Sequence, residues 1–365
     1  MKIRAAVCRH ESLTLSLEDL DLAAPRPDEV LVRLVGVGIC HTDLTVCKDA
    51  NRTPRPVVLG HEGAGMVEKV GSGVSRIAVG DRVVMSFDYC GICPSCVGGA
   101  PSYCDSARAR SFGGSRPDGT SPLSRGGEPV NGSFFGQSSF ATHAICTERN
   151  AVKIRTDLPL EILGPLGCGI QTGAGAVMNA LQVRPGGSIA VFGTGAVGMS
   201  AIMAARLVGA TTIIAIDLLP ARRALALELG ATHAIDPTSE SSRDAIRGIT
   251  GRGVDFAVDT TASSAAIADA IGALGTRGTC ALIASQGPQQ QVPVSVVHMM
   301  GGGRGVRGVI EGDSVPQLFI PMLADLHAQG RLPFDRLVKT YPFERINDAL
   351  RDAEAGTAIK PVLVF

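Results

Sequence analysis

The sequence predicts an α/β protein with two domains, one rich in β-strands and one built on a doubly wound parallel sheet. The chain has 365 residues, more than a single domain usually contains. Short stretches of alternating apolar and polar residues occupy residues 1–90 and return at 139–154, as half-buried strands do. From about residue 170, apolar strands alternate with helices, and this order predicts a parallel sheet.

In the β-rich part, three stretches are typical of strands: EVLVRLVGVGIC (29–40), GAGMVEKVGSG (63–73) and VGDRVVMS (79–86). Residues 106–136 are rich in Gly, Ser, Arg and Pro. We interpret them as a long surface excursion, of the kind that forms a lid over a cleft. The last strand is KPVLVF (360–365), which follows a predicted helix at 316–330.

The second domain begins with the strand, glycine turn and helix of SIAVFGTGAVGMSAIMAARLVGA (188–210). Further strands are predicted at 211–217, 254–261 and 278–285, and a helix that opens with Pro220 ends at Gly230. We therefore expect one domain from residues 1–169 and 306–365, which includes a small lobe at about 88–106, and a second from residues 170–305.

Charge and composition exclude several classes of partner. Lys and Arg together number 34, as do Asp and Glu, so the chain lacks the basic footprint of a nucleic-acid or membrane-surface protein. The N-terminus has no secretory h-region, and glycines and Arg206 interrupt the most apolar segment. We expect a cytoplasmic protein with a small-molecule partner. In that compartment, its ten cysteines indicate metal binding or chemistry rather than disulfides.

The glycine turn has the pattern G-x-G-x-x-G at Gly193, Gly195 and Gly198, between an apolar strand and an Ala-rich helix. Asp217 ends the next strand, where a carboxylate accepts hydrogen bonds from ribose hydroxyls and repels a 2′-phosphate. The pattern predicts dinucleotide binding, with NAD favoured over NADP; the alternative is a tight turn that binds no dinucleotide. The predicted cofactor contacts here are Gly193, Gly195, Ala196, Val197, Gly198, Asp217 and Arg222.

Four cysteines lie together in YCGICPSCVGGAPSYCDS (89–106), where no apolar periodicity surrounds them. The compartment disfavours a disulfide pair, and the loop lacks the βαβ setting of a thioredoxin-like motif. The spacing C-x₂-C-x₂-C-x₇-C departs from the ferredoxin pattern and suits four thiolates around one tetrahedral zinc ion. The sequence therefore predicts a structural zinc site at Cys90, Cys93, Cys96 and Cys104.

Three further residues are unremarkable alone: Cys40 in GICHTDL, His61 in LGHEGAG and Cys168 in LGCGIQTGAG. Together with GDRVV, the four-cysteine loop, the glycine turn and KPVLVF, these motifs resemble the zinc-dependent alcohol dehydrogenases of the medium-chain dehydrogenase/reductase superfamily from end to end. The resemblance implies a GroES-like catalytic domain and a Rossmann domain. It also implies two zinc ions per subunit, the catalytic one held by Cys40, His61 and Cys168 with one position open.

The resemblance also implies a proton relay. A catalytic zinc lowers the pKa of an alcohol oxygen, and the alcohol carbon then transfers a hydride to the nicotinamide. Thr42 matches the hydroxyl that accepts the alcohol proton and passes it to the ribose. Where dehydrogenases of the animal liver type carry a histidine at the outer end of this relay, the present chain has Thr45. We therefore expect the relay to end near Thr42 and the ribose.

Four more roles follow from the same resemblance. Asp43 matches the carboxylate that orients the zinc-binding histidine, and Glu62 matches a carboxylate beside the zinc. His41 and Lys360 match residues that approach the cofactor pyrophosphate. For Glu62 and Lys360, a plain salt bridge or a solvated surface position is the alternative interpretation.

The full length and GCGIQTGAGAVMN most resemble bacterial aryl-alcohol dehydrogenases, which oxidise primary benzylic and allylic alcohols, including terpenoid alcohols, reversibly to aldehydes. Phe87 either lines that pocket or belongs to the core. A glutathione-dependent formaldehyde dehydrogenase is the main rival hypothesis, because the excursion carries Arg108, Arg110, Arg116 and Arg125. Two further hypotheses are a zinc-free quinone or enoyl reductase and a non-catalytic nucleotide-binding sensor.

The resemblance further implies a homodimer or homotetramer. The apolar, glycine-rich stretch VVHMMGGGRGVRGVI (296–310) is the candidate interface strand, and its alternative interpretation is an ordinary core strand.

Replacing Cys93 by Ser removes one of the four thiolates of the predicted structural site. Because metal binding supplies the folding energy of such a loop, we expect a lower melting temperature or impaired assembly before the chemistry changes. Thermal unfolding and zinc analysis of the variant test this. A melting temperature and zinc content equal to those of the wild type would refute it.

Overall fold

A computed structural model describes residues 1–154 and 157–365. It divides into two compact units. The first comprises Met1–Cys168, Val315–Gln329 and Phe334–Phe365, and the second comprises Gly169–Ser314 and Gly330–Pro333.

The first unit is mainly antiparallel sheet, as the alternating pattern predicts. Its strands are β1 (Lys2–Cys8), β2 (Ser16–Leu22), β3 (Glu29–Gly38), β4 (Val57–Val58), β5 (Glu62–Val70), β6 (Arg82–Met85), β7 (Leu123–Arg125), β8 (Glu128–Val130), β9 (His143–Thr147), β10 (Ala151–Lys153), β17 (Val338–Pro342) and β18 (Lys360–Val364). They form a five-stranded sheet in the order β4-β1-β2-β7-β8 and a seven-stranded sheet in the order β10-β6-β5-β3-β18-β17, with β9 also paired to β3.

The helices of this unit connect or flank the sheets. They are α1 (His41–Lys48), α2 (Pro94–Val97), α3 (Ala107–Phe112), α10 (Pro316–Ala328) and α11 (Ile346–Ala355). One continuous apolar core joins the two sheets to α1 and α11, with Leu44 and Leu350 among its buried members. Burying these side chains holds α1 in place, and the first turn of α1 carries several predicted site residues.

The second unit has a doubly wound sheet, which confirms the predicted fold class. Its strands are β11 (Ser188–Phe192), β12 (Thr212–Ile216), β13 (His233–Ile235), β14 (Val254–Asp259), β15 (Leu274–Leu282) and β16 (Gly305–Gly308). They pair in parallel in the order β13-β12-β11-β14-β15-β16. Its helices are α4 (Gly169–Gly175), α5 (Ala196–Leu207), α6 (Pro220–Leu229), α7 (Ser242–Thr250), α8 (Ser264–Gly272) and α9 (Val296–Gly302).

The start and the end of α6 follow from its sequence. Pro220 stands in the first turn, where the missing N–H has no helical partner to lose. Gly230 ends the helix at φ +129°, a conformation that residues with a Cβ rarely adopt.

Two predicted segments differ in the structure. The candidate interface strand 296–310 begins as helix α9, and only β16 within it is a strand. Because β16 hydrogen-bonds to β15, the second unit continues to Ser314, and the predicted division at 305/306 falls inside it.

The excursion at 106–136 is built into the first unit rather than extended as a lid. Its strand β7 pairs with β2, and Arg116 makes two hydrogen bonds to Glu29 at 2.6 and 2.8 Å, with both side chains buried. A buried guanidinium–carboxylate pair with two parallel hydrogen bonds has a strict geometry. It therefore ties the excursion to β3.

No helix in the described ranges 1–154 and 157–365 is long and apolar enough to cross a membrane.

Candidate active site

Two groups of metal-ligating side chains form in the first unit. One is Cys40, His61, Glu62 and Cys168, and the other is Cys90, Cys93, Cys96 and Cys104; within each group the ligand atoms lie within 4.8 Å of one another. The structure thus brings together the two sets that the sequence predicts, with Glu62 beside the first, where the resemblance places a carboxylate.

Cys40 caps the N-terminus of α1, whereas the sequence pattern indicates a strand end. Its backbone is extended (φ −107°, ψ 154°), and Asp43 closes a capping box by accepting a hydrogen bond from Cys40 N at 3.0 Å. A carboxylate in the first turn also complements the helix dipole. The first turn therefore carries the exposed His41 and the half-buried Thr42 directly after a metal-ligating thiol.

The Asp43 carboxylate is fully buried and holds three groups at once. Besides Cys40 N, it accepts hydrogen bonds from Gly60 N at 3.1 Å and from His61 Nδ1 at 3.0 Å. Since a carboxylate only accepts, Nδ1 must carry the proton, and Nε2 is left as a lone-pair donor.

The His61 ring shows whether a metal fits. Nε2 is buried and has no hydrogen-bond partner among residues 1–154 and 157–365. One nitrogen of the ring lies within 4.8 Å of the two thiols and a Glu62 carboxylate oxygen. A buried imidazole nitrogen left in this way is costly, and Cys₂His is a zinc donor set, so the residues present fit zinc.

Cys168 reaches the group through a turn made of glycines. Gly164 and Gly167 flank Pro165 and Leu166 in a short 3₁₀ helix just before it. A Cβ on Gly164 would lie 2.1 Å from Glu62 O, and a Cβ on Gly167 would lie 2.1 Å from Met85 O. The turn can approach β5 and β6 only because these positions lack side chains.

The surroundings of Cys40 favour the ionised form of its thiol. A hydrogen bond from Cys168 is the main cause that lowers the pKa of Cys40 well below its usual value against the opposing effect of burial, and the Lys360 charge acts in the same direction. A thiolate is the form that ligates zinc.

Lys360 requires a correction to the predicted phosphate contact. Its ammonium is buried and donates to Glu62 Oε1 at 2.8 Å, Glu62 Oε2 at 2.9 Å and Ile39 O at 3.2 Å. An ammonium has three protons, so all its donors are used within the first unit. Burial raises the pKa of Glu62, although the Lys360 charge opposes the shift. Lys360 therefore balances the Glu62 charge beside the metal-ligating group instead of contacting a phosphate.

The four-cysteine group lies in a loop that contains α2. Cys90 Sγ lies 3.9 Å from Cys96 Sγ, and the backbone N–H of Cys93 points at Cys90 Sγ from 3.3 Å. Hydrogen bonds from the amides of Ile92 and Cys93 lower the pKa of Cys90 to about 6. All ten cysteines of the chain carry free thiols, so no disulfide competes with metal binding here.

The glycine turn in the second unit has the conformation that the motif requires. Gly193 has φ +83°, and a Cβ on Gly198 would lie 1.9 Å from Gly193 O. Gly195 caps α5, with open space where its Cβ would be. Ala196 and Val197 then form the first turn of α5, whose N–H groups suit phosphates.

Asp217 lies at the end of β12 and is buried. It accepts hydrogen bonds from Thr194 N at 2.7 Å, Thr194 Oγ1 at 2.9 Å and Leu219 N at 2.9 Å. Arg222 Nη1 lies 4.0 Å from Asp217 Oδ2. The Asp217 carboxylate thus holds the glycine turn in place through Thr194. The G-x-G-x-x-G pattern does not predict this contact.

Comparisons with known proteins agree with this geometry. Residues 26–156 match the alcohol dehydrogenase GroES-like domain, and residues 196–327 match the zinc-binding dehydrogenase domain. The geraniol dehydrogenase of Castellaniella defragrans is 50% identical over 364 residues, 99% of this chain and 97% of that protein. The chain belongs to the zinc-dependent alcohol dehydrogenases of the medium-chain dehydrogenase/reductase superfamily.

Solved structures of zinc dehydrogenases share the whole fold. The benzyl alcohol dehydrogenase of Acinetobacter calcoaceticus has a TM-score of 0.97 and 44% identity, with 100% of this chain and 99% of that chain covered. An alcohol dehydrogenase zinc-binding domain protein from Burkholderia ambifaria has a TM-score of 0.99 and 53% identity, with 100% and 99% covered. The present chain is accordingly an oxidoreductase that uses zinc.

Sequence reasoning missed the segment of this dehydrogenase that surrounds His61. The Phe135 ring lies parallel to the His61 ring, and the Gln137 amide donates to His61 O at 2.9 Å and Ser86 O at 3.1 Å. The only sequence signal is the aromatic pair followed by Gly-Gln at the end of the excursion, and it points to no particular contact.

Replacing Asp43 by Asn keeps the size of the side chain but removes its charge and one of its two acceptor oxygens. We expect the zinc affinity of the group formed by Cys40, His61, Glu62 and Cys168 (the Cys40 group) to fall about 10–100-fold. Mutating a residue that orients a metal-ligating histidine typically lowers metal affinity by this factor. The test is zinc retained per chain during titration with a chelator, with zinc at the four-cysteine group unchanged.

Asp49→Asn is the matched control, since Asp49 lies at the other end of α1 and its carboxylate accepts hydrogen bonds from Asn51 and Arg52 of its own loop. Equal zinc retention in the two variants would show that Asp43 does not orient the ligand.

Proposed function

We propose that this dehydrogenase oxidises primary benzylic and allylic alcohols, including terpenoid alcohols, to aldehydes with NAD⁺, and catalyses the reverse reduction. The observation that carries the proposal is the donor set of half-buried Cys40 and buried His61 and Cys168, with an imidazole nitrogen that lacks a hydrogen-bond partner in the described part of the chain. The substrate class is supported by the similarity to proteins named geraniol dehydrogenase and benzyl alcohol dehydrogenase.

Buried aromatic side chains border the donor set. Phe134 and Phe135 contact the His61 ring at centroid distances of 5.6 and 4.4 Å, and Phe112 packs on both phenylalanines. Aromatic rings form offset or edge contacts with other π-systems and exclude water. Phe87 is buried with its ring 6.0 Å from that of Tyr89, which fits a core residue.

Zinc, when bound by Cys40, His61 and Cys168, stabilises negative charge that develops on the alcohol oxygen. Thr42 Oγ1, in the first turn of α1, is the group to accept the alcohol proton. Thr42 passes its own proton to the cofactor ribose as it accepts that of the alcohol. The Thr45 hydroxyl donates to His41 O at 3.0 Å, so its proton is already committed to a backbone carbonyl. The relay therefore passes through Thr42 and does not continue to Thr45.

NAD⁺ is the proposed hydride acceptor, and the glycine turn with α5 is its pyrophosphate site. Asp217 uses three of its acceptor positions on Thr194 and Leu219, and its negative charge remains beside the turn. That charge repels a 2′-phosphate and so disfavours NADP⁺. Arg222 is near enough to Asp217 to offset part of the negative charge of its carboxylate. His41, the other predicted pyrophosphate contact, is exposed on the first unit.

The rival substrate, a glutathione adduct of formaldehyde, finds little support in the four arginines of the excursion. Arg110 pairs with Asp88 at 2.6 Å, Arg116 with Glu29 at 2.6 Å and Arg125 with Glu18 at 2.9 Å. Arg110 and Arg116, already neutralised by carboxylates, cannot form a basic pocket for glutathione. Glu18 also pairs with Arg9 at 2.7 Å, so Arg125, like Arg108, remains an exposed surface charge.

For the assembly, we propose a homodimer, or a homotetramer of such dimers, formed through β16. This strand is the edge of the six-stranded sheet. Exposed apolar side chains flank it in the chain, with Val296 71%, Met300 77% and Ile310 54% exposed. An exposed apolar edge strand invites pairing with another chain.

Val306→Lys places a charge on this edge strand, so we expect a lower molecular mass in sedimentation experiments. Val79→Lys is the control, because Val79 is an exposed valine in the other unit. If Val306→Lys kept the wild-type mass, β16 would not be the interface.

The substrate proposal is tested by following nicotinamide absorbance with benzyl alcohol, geraniol, ethanol and hydroxymethylglutathione. We expect the highest kcat/KM with NAD⁺ and benzyl alcohol or geraniol. With NADP⁺, kcat/KM should fall at least about tenfold, because a like-charge contact costs more than about 1.4 kcal/mol. Dominant activity on hydroxymethylglutathione, or no turnover of any alcohol by the zinc-loaded protein, would overturn the proposal.

A further inference from the structure

We propose that Phe135 is a positioning residue for the zinc-ligating imidazole: its ring fixes the plane of His61 and so directs Nε2 at the metal. The inference deepens the proposed function and rests on it only in that the Cys40 group holds a metal. It assigns a role to the far end of the excursion at 106–136, which the sequence pattern predicts to be a lid.

The stacking geometry is the first observation. The ring centroids of His61 and Phe135 are 4.4 Å apart, with an interplanar angle of 23°. Phe134 meets the same imidazole edge-on, at 5.6 Å and 80°. The imidazole is therefore in contact with the aromatic rings of two consecutive residues, one stacked on it and one perpendicular to it.

The backbone of Phe135 is the second observation. Its φ is +51°, a region that residues with a Cβ seldom occupy. The neighbouring Ser138 also has φ +51°, and its hydroxyl accepts from Phe134 N at 2.9 Å and donates to Val58 O at 2.6 Å. Such conformations persist where the surrounding structure enforces them, and they cluster at functional sites.

The same segment also holds the backbone of His61. Gln137 Nε2 donates to His61 O, Gln137 Oε1 accepts from Gly63 N at 3.2 Å, and Ser139 N donates to Gly60 O at 2.9 Å. The residues on both sides of His61 are thus hydrogen-bonded to the segment 134–139, which contains Phe135. Backbone and ring are held by one structure.

The stack supplies a constraint that Asp43 cannot supply. The hydrogen bond from Nδ1 to Asp43 fixes one atom of the ring and its tautomer. It leaves the ring free to tilt about that contact. A parallel aromatic face blocks the tilt, and it attracts an imidazole made electron-poor by a bound cation.

The chain contains a matched pair of stacked phenylalanines for the test. Phe343 is buried in the same unit and stacks on Phe365 at 4.7 Å and 29°, and it belongs to neither metal-ligating group. Phe135→Leu and Phe343→Leu therefore remove the same kind of ring contact, one beside His61 and one elsewhere.

Zinc retention at the Cys40 group, measured against a chelator without alcohol or nicotinamide, is the main readout. We expect Phe135→Leu to weaken this zinc about tenfold or more, with the four-cysteine group unaffected. Phe135→Tyr, which keeps the ring, should stay within about twofold of the wild type. Phe343→Leu should retain zinc like the wild type even if its melting temperature falls. The visible absorption of cobalt substituted at the Cys40 group should change in Phe135→Leu alone.

Wild-type zinc retention in Phe135→Leu, or equal loss in Phe343→Leu, would overturn the inference. Should Phe135→Leu fail to fold, Phe112→Leu removes a ring that contacts Phe134 and Phe135. Loss of about threefold in zinc affinity is then expected, and none would overturn the inference. Turnover of benzyl alcohol by the wild type is a separate measurement, so failure of the proposed function and failure of this inference are distinguishable.

Discussion

The buried Asp43 carboxylate is the contact on which the rest of the site depends. It joins the N-terminus of α1, the backbone before β5 and the His61 ring. Without this acceptor, three buried N–H groups would lose their partner, and each such loss costs about 1–3 kcal/mol. The spacing between Cys40 and His61 is therefore determined by one side chain, before any metal binds. Because the same carboxylate keeps Nδ1 protonated, it also decides which imidazole nitrogen is available.

Two kinds of positive charge balance the acidic groups of this site. A metal cation can compensate the thiolates, and a lysine of the chain itself compensates the carboxylate beside them. Lys360, in the last strand of the chain, neutralises Glu62 with two hydrogen bonds. Removing one partner of such a buried pair costs about 3–5 kcal/mol. The Lys360–Glu62 pair leaves Cys40 and Cys168 as the thiols that a divalent ion can compensate. The arrangement thus keeps a carboxylate close to the donor set while its charge is already offset.

Much of the fold is predictable, because local signals agree with tertiary structure. Alternation predicts β3, β5 and β6, and the proline and glycine at the ends of α6 are at the positions expected. The four-cysteine group is found from its spacing. The group that contains Cys40 is found from motif resemblance, since Cys40 and Cys168 are too far apart in the chain for spacing to relate them. The contact of Lys360 with Glu62, 298 residues away, has no local signal at all. The stacking of Phe135 on His61 has no local signal either, because it depends on a left-handed backbone conformation that a Phe–Phe pair does not predict.

The glycine turn before Cys168 has a consequence for how this enzyme can be changed. Gly164 and Gly167 each face a backbone carbonyl at a distance that forbids a Cβ. Directed evolution that samples this turn will therefore recover glycine at both positions, whatever substrate is selected. Residues 134–139, beside the imidazole, are restricted in another way, since the Phe135 ring stacks on His61 and its backbone has a positive φ. Adaptation to a new alcohol therefore has to leave in place both the turn that carries the thiolate and the ring that lies against the histidine.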